Sequence, residues 1–372
     1  MKMSTIVKKI LKCFGIFIIS ILALIEIVRT IGRMVNNRTP DGGINESRMI
    51  DINGSKQWIN IYGKNLNNPV LLYLHGGPGV PTSIYDYIVT RKWSDVYTVV
   101  SWDQRNCGKS YSESQNNITL THDLFMQDGK EMTEFLLKHL NKDKISLLGY
   151  SWGTYFGSNL VLTYPDYYET YIGAGQLIDV IACEVAFKEE ATKWAKDDPE
   201  GQKLVDKITP KNLTEEYFNI RNEILIRYHY NVLEGGTDYS ILSSFLFNPY
   251  YTLFDIFSYF KNLKNWMEGY FKFTDSEEFT KKFSLLNHTD YKVPYYNIIG
   301  DKDYQTNHNQ AEEYFKLVKA PRKKLYIMKD MNHSYFFERS EEFSDIINDI
   351  YKSEYQSYDE NNTPTNTTTL NN

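Results

Sequence analysis

Apolar and polar positions follow three different regimes along this chain. Residues 13–25 form an almost unbroken apolar run, preceded by Lys2, Lys8, Lys9 and Lys12. From residue 49 onward short apolar runs bounded by turn residues take over, the pattern of buried strands. Residues 49–52 and 57–62 flank Asn53-Gly54, which predicts a β-hairpin closed by an Asn-Gly turn. Further strands are predicted at 70–74, 97–102, 145–148, 171–173, 295–299 and 324–328, with helical patterns at 124–139, 154–163, 310–318 and 341–351. Strands alternating with helices predict βαβ units and a mostly parallel sheet. The third regime, from about 179 to 287, is rich in aromatic and charged residues, helical in period and without a convincing core strand.

This pattern divides the chain into an anchor and flank (1–38), a first core half (39–178), a helical cap (179–290), a second core half (291–358) and an Asn/Thr-rich tail (359–372). The tail has too few apolar residues to fold and is expected to be disordered. The apolar run is expected to be an uncleaved membrane anchor. It falls short of the ~20 residues a span usually needs, but Ile10 and Leu11 lengthen it if Lys12 snorkels. No small-x-small site follows it, which argues against a cleaved signal. Basic residues on both sides weakly favour an N-terminus inside and a catalytic body outside the cytoplasm.

Charge sharpens the division. Seven basic side chains and one acid give residues 1–38 a charge of +6, leaving 34 basic and 46 acidic side chains, or -12, for the rest. An acidic body excludes nucleic acid as an expected partner. Three cysteines, Cys13, Cys107 and Cys183, make neither a disulfide framework nor a zinc set, and no His, Cys and acidic positions group at ligand spacing, so no cofactor or metal is expected. Oligomeric state is left open.

Candidate chemistry centres on Gly149-Tyr150-Ser151-Trp152-Gly153, between a predicted strand and a predicted helix. A G-x-S-x-G in that context puts the serine on a sharp strained turn with its hydroxyl exposed. An acyl-transfer serine needs a base, a carboxylate to orient the base, and donors for the oxyanion. Of seven histidines, His333 lies just after the last apolar strand, whereas His75 reads as a structural hydrogen-bonder. Gly300-Asp301-Lys302-Asp303 follows another strand; its spacing favours Asp303 as the acid, with Asp301 the alternative. His75-Gly76-Gly77-Pro78-Gly79 follows a strand too, so the amides of Gly77 and Trp152 are the expected oxyanion donors.

Together, His75–Gly79, Trp102-Asp-Gln-Arg-Asn-Cys-Gly-Lys-Ser110, Gly149–Gly153, Gly300-x-x-Asp303 and His333-Ser334 resemble the prolyl iminopeptidase group of α/β-hydrolases. The resemblance covers roughly 71–174 and 294–339. It implies an α/β-hydrolase fold with a helical cap and a catalytic set of Ser151, Asp303 and His333. It also implies that Asp103 and Arg105 hold architecture. Asn106 stands where the group has glycine, and asparagine tolerates the left-handed turn. In that group cap glutamates recognise a free N-terminal amine; here Glu184, Glu189, Glu190 and Glu234 are the candidates, with Glu184 and Glu234 taken as substrate-binding. The expected function is a serine hydrolase, foremost an aminopeptidase releasing N-terminal residues from short peptides. The alternatives are a membrane-anchored carboxylesterase or lipase-like hydrolase and a non-catalytic tethered binding protein. The aromatics between 245 and 260 are expected to be cap core.

Overall fold

The computed structural model describes residues 5–356; the predicted disordered tail lies outside them. A helix α1 (Thr5–Asn36) leads into an eight-stranded sheet. Its strands are β1 (Ile44–Ile52), β2 (Ser55–Gly63), β3 (Val70–Leu74), β4 (Thr98–Asp103), β5 (Ile145–Tyr150), β6 (Tyr168–Ala174), β7 (Tyr295–Gly300) and β8 (Lys323–Met328). Their spatial order is β1-β2-β4-β3-β5-β6-β7-β8. β1 and β2 form the hairpin, with Asn53 and Gly54 both at positive φ as a two-residue primed turn requires. β2 meets β4 antiparallel, and every pairing from β4 to β8 is parallel. β3, β4 and β5 are buried along their whole length, as strands covered on both faces must be.

The covering helices are α2 (Tyr87–Thr90), α3 (His122–His139) and α4 (Trp152–Thr163) before the insertion. After it come α11 (His308–Leu317), α12 (Tyr335–Glu338) and α13 (Ser340–Tyr351). The insertion itself contains α5 (Val180–Trp194), α6 (Pro199–Val205), α7 (Glu215–Arg227), α8 (Ile241–Leu246), α9 (Leu253–Thr274) and α10 (Glu277–Lys282). Its two ends are tied by an isolated bridge between Asp179 and Ser284 and by the Leu285 amide donating to the Ile178 carbonyl at 2.8 Å. The insertion therefore leaves and re-enters the sheet region at one place.

α1 is one continuous 32-residue helix that contains the apolar run and carries Glu26 within it, 3.4 Å from Arg29 one turn on. One expectation is corrected. The aromatics of 245–260 do not all form core: Tyr250, Tyr251 and Tyr259 are buried, whereas Phe254, Phe257 and Phe260 are exposed by 76%, 64% and 56%. Helical period explains the split, because positions 254, 257 and 260 lie on the side of α9 away from buried Tyr259, Trp266 and Tyr270.

Candidate active site

The strand order dictates where the site forms. β3 lies between β4 and β5, so the connections leaving β3 and β5 diverge and open a crevice at the carboxyl ends of those two strands. His75–Gly79 leaves β3 there and Ser151 leaves β5 beside it, with Leu74 and Gly149 paired in register. Ser151 sits at φ 55°, ψ -121°, a left-handed conformation costly for a residue with a side chain. The turn is enforced by contact: a Cβ on Gly149 would lie 2.3 Å from the Gly153 carbonyl oxygen, and one on Gly153 would lie 2.2 Å from that of Leu74. Glycine is required at both, and the Ser151 amide donates to Ala174 on β6 at 2.9 Å.

His333 follows β8 and Asp303 follows β7. His333 Nδ1 lies 2.7 Å from Asp303 Oδ2, with the imidazole 5% exposed and the carboxylate fully buried. Asp303 Oδ1 accepts the amides of Gln305 and Thr306 at 2.9 and 3.0 Å, and Oδ2 also accepts the Thr306 hydroxyl at 2.9 Å. Burial pushes the Asp303 carboxyl up, but the facing His333 and these donors outweigh it and hold the value below its ordinary one. Asp301 points elsewhere, 3.4 Å from Lys329. Tyr150 completes the setting: its hydroxyl donates to the His333 carbonyl at 2.7 Å and its ring stacks on the imidazole. Sequence reasoning passed over Tyr150 and Thr306. Their signals were present, in the variable position of the elbow and three residues beyond the acid.

Ser151, His333, Gly77 and Trp152 all line one cavity of about 370 Å³. Trp152 opens α4, so its amide belongs to the first helical turn, which has no intrahelical acceptor. Gly76 packs against Ser151, where a Cβ would stand 3.1 Å from the serine Cβ. The loop carrying Gly77 is thus held beside the hydroxyl. His75 plays a supporting part: Nδ1 is 2.8 Å from the Gly76 carbonyl and Nε2 accepts the Gln104 amide at 3.2 Å. Burial lowers its pKa to about 4, so it stays neutral. Arg105 clamps Asp128 through two bonds of 2.6 and 2.7 Å, both side chains 1% exposed. Asn106 occupies φ 52°, the left-handed turn for which asparagine substitutes for glycine.

The cap candidates separate. Glu184, on α5, lines the cavity and is the one acid to do so among the described residues. Its Oε2 is already taken by Arg221 Nε at 2.8 Å and the Tyr217 hydroxyl at 2.6 Å, partners the sequence did not reveal. Glu234 corrects the expectation. It does not reach the cavity, because it turns out to pair with His229 and the Asn231 amide while its neighbour Leu233 lines the wall. Glu190 pairs with Lys193 at the surface.

Known proteins agree with this architecture. The family model described as alpha/beta hydrolase fold matches residues 69–207. The chain has the α/β-hydrolase fold, and proteins named proline iminopeptidase are among its similar sequences and solved structures. It is 37% identical over 130 residues to a probable aminopeptidase, YbaC, of Bacillus subtilis (strain 168), covering 35% of this chain and 41% of that protein. It is 23% identical over 316 residues to a proline iminopeptidase of Heyndrickxia coagulans, covering 82% and 98%. The solved proline iminopeptidase of Mycobacterium smegmatis superposes with a TM-score of 0.58 at 16% identity, covering 84% of this chain and 100% of that one.

Proposed function

We propose that the chain is a serine hydrolase that works through an acyl-enzyme, and that its first substrates are short peptides with a free N-terminus. The observation that carries the hydrolase reading is the His333–Asp303 pair opening onto the same cavity as Ser151. Asp303 holds the proton on Nδ1, which leaves the Nε2 lone pair to take the proton of the Ser151 hydroxyl. The serine oxygen bonds to the substrate carbonyl carbon, and the amides of Gly77 and Trp152 receive the negative charge on the carbonyl oxygen. Imidazolium returns the proton to the leaving amine as the C–N bond breaks, and water repeats the sequence on the acyl-serine.

The aminopeptidase reading draws on Glu184, whose carboxylate stands in the cavity wall to receive an ammonium, and on relatives named aminopeptidase and proline iminopeptidase. A second reading, ester hydrolysis, is favoured by Arg221, which already neutralises that carboxylate, and by the largely apolar remainder of the wall. The test compares kcat/KM for a free-amine prolyl amide, its N-acetylated counterpart and an aryl ester, with Ser151→Ala as control. The proposal expects Ser151-dependent release from the free amine, and a KM raised about tenfold or more by Glu184→Gln for that substrate alone, as loss of a charged hydrogen bond implies. Ester turnover without amide turnover overturns the peptidase. Full activity in Ser151→Ala overturns the hydrolase mechanism.

We further infer that α1 is retained as a membrane anchor with the body outside the cytoplasm. Its last turns are built into the fold, which supports retention over cleavage. Arg29, 2% exposed, donates to the Tyr251 carbonyl at 2.7 Å, Arg33 to that of Asn248 at 3.1 Å, and Asn36 to that of Phe247 at 2.8 Å.

A further inference from the structure

The exposed face of α9 has no role in the chemistry above, yet it gathers several large apolar side chains in the open. Leu253, Phe254, Phe257 and Phe260 are each more than half exposed, and neighbouring Leu242 on α8 is 69% exposed. At 100° per residue the four α9 positions fall within an arc of about 120°. Lys261 and Lys264 continue the same arc in the following turns, both exposed. The opposite side of the helix carries Tyr259, Trp266 and Tyr270, all buried. Phenylalanine and leucine on one sector, passing into Lys261 and Lys264 and then the exposed Glu268–Lys272 ion pair, is a composition suited to a helix lying in a lipid–water interface.

Position selects lipid over other occupants. The apolar stretch of α1 from Ile10 to Val28 spans about 28 Å at 1.5 Å per residue, matching a ~30 Å hydrocarbon core. Arg29 then stands at the boundary of that core, and it bonds to the Tyr251 carbonyl, two residues before α9 begins. The first turn of α9 is thereby fixed at the depth where the anchor leaves the bilayer. The inward side of the same helix grips the loop next to Ser151: Trp266 Nε1 donates to the Gly79 carbonyl at 3.1 Å, and the Tyr259 hydroxyl to that of Pro81 at 3.0 Å.

We propose that α9 is a second membrane contact, its Leu253/Phe254/Phe257/Phe260 face seated among the acyl chains and its Lys261 and Lys264 on anionic headgroups. This rests on reading α1 as an anchor. It places the oxyanion loop one helix thickness from the bilayer, so amphiphilic substrates held at the lipid–water interface have the shortest path to the site.

The test uses the full chain reconstituted in phosphatidylcholine vesicles with a minority of phosphatidylglycerol and a headgroup-nitroxide lipid. A thiol-reactive fluorophore reports from one position at a time. Native Cys13, exposed on α1, reports the anchor; Cys107 and Cys183 are buried. Phe257→Cys with Cys13→Ser reports the α9 face. Leu317→Cys with Cys13→Ser is the control, on α11, which packs against β7, a strand about 29 Å from β1 across six strand spacings. The proposal expects loss of emission at 13 and 257 and none at 317. Quenching at 13 but not at 257 overturns the α9 contact while the anchor stands. No quenching at 13 overturns the anchor reading and the proposal with it. Blue-shifted but unquenched emission at 257 assigns the face to a second copy of the chain and also overturns it.

Discussion

Two regions of this molecule bury aspartates to the same depth and treat them in opposite ways. After β7, Asp303 faces His333 and receives two amides and a hydroxyl, and its pKa is held below the ordinary value. Behind the oxyanion loop, Asp86 and Asp103 are equally enclosed, and burial pushes them up to about 7 and about 6. Asp86 takes the Thr82 hydroxyl at 3.0 Å, and Asp103 takes the Lys109 amide at 2.8 Å and the Tyr251 hydroxyl at 3.2 Å. One oxygen of each, Oδ1, has no partner among the described residues. Depth does not set the charge of a buried carboxyl. The number of donors and the sign of the nearest charge do.

The comparison breaks most visibly at Asp303. Asp303→Asn keeps the shape but lets His333 take the wrong tautomer, so kcat is expected to fall on the order of 10⁴-fold with little change in KM. A drop under tenfold would mean the ionised carboxylate is not needed. The two regions also differ in the sign of their pH dependence. Asp303, depressed, contributes stability above its unfolded value near 4, lost as pH falls through its lower folded value. Asp86, raised, contributes stability that is complete below pH ~4 and lost as pH rises through about 7. Urea unfolding of Asp86→Asn is therefore expected to lose less stability between pH 5 and pH 8 than the parent, by at least about 1 kcal/mol. Parallel curves would show that Asp86 is not protonated in the fold. The smallest effect sharpens the donor count. Thr306→Val removes one of four donors to Asp303 and is expected to cost about 1 kcal/mol of stability, with kcat lowered less than tenfold.

Much of this was legible in the sequence, for identifiable reasons. The hairpin, the strand positions and the elbow depend on local demands: Asn-Gly at a primed turn, apolar runs in a two-faced sheet, glycines at 149 and 153 where backbones touch. Such demands are written into neighbouring residues, so a linear reading recovers them. The order Ser151, Asp303, His333 could be read as well, because each follows a strand end.

Tertiary structure alone decided which glutamate meets the cavity, since Glu184 and Glu234 look alike in sequence and differ only in where α5 and the turn after α7 carry them. It alone revealed that Arg221 and Tyr217 occupy Glu184, and that Arg29 and Arg33, which read as flanking charges, dock the first helix onto the turn before α9. It also decided that Phe254, Phe257 and Phe260 face outward. Each of these depends on contacts between segments tens to hundreds of residues apart, set by the packing of whole helices on the sheet, and no local pattern encodes that packing.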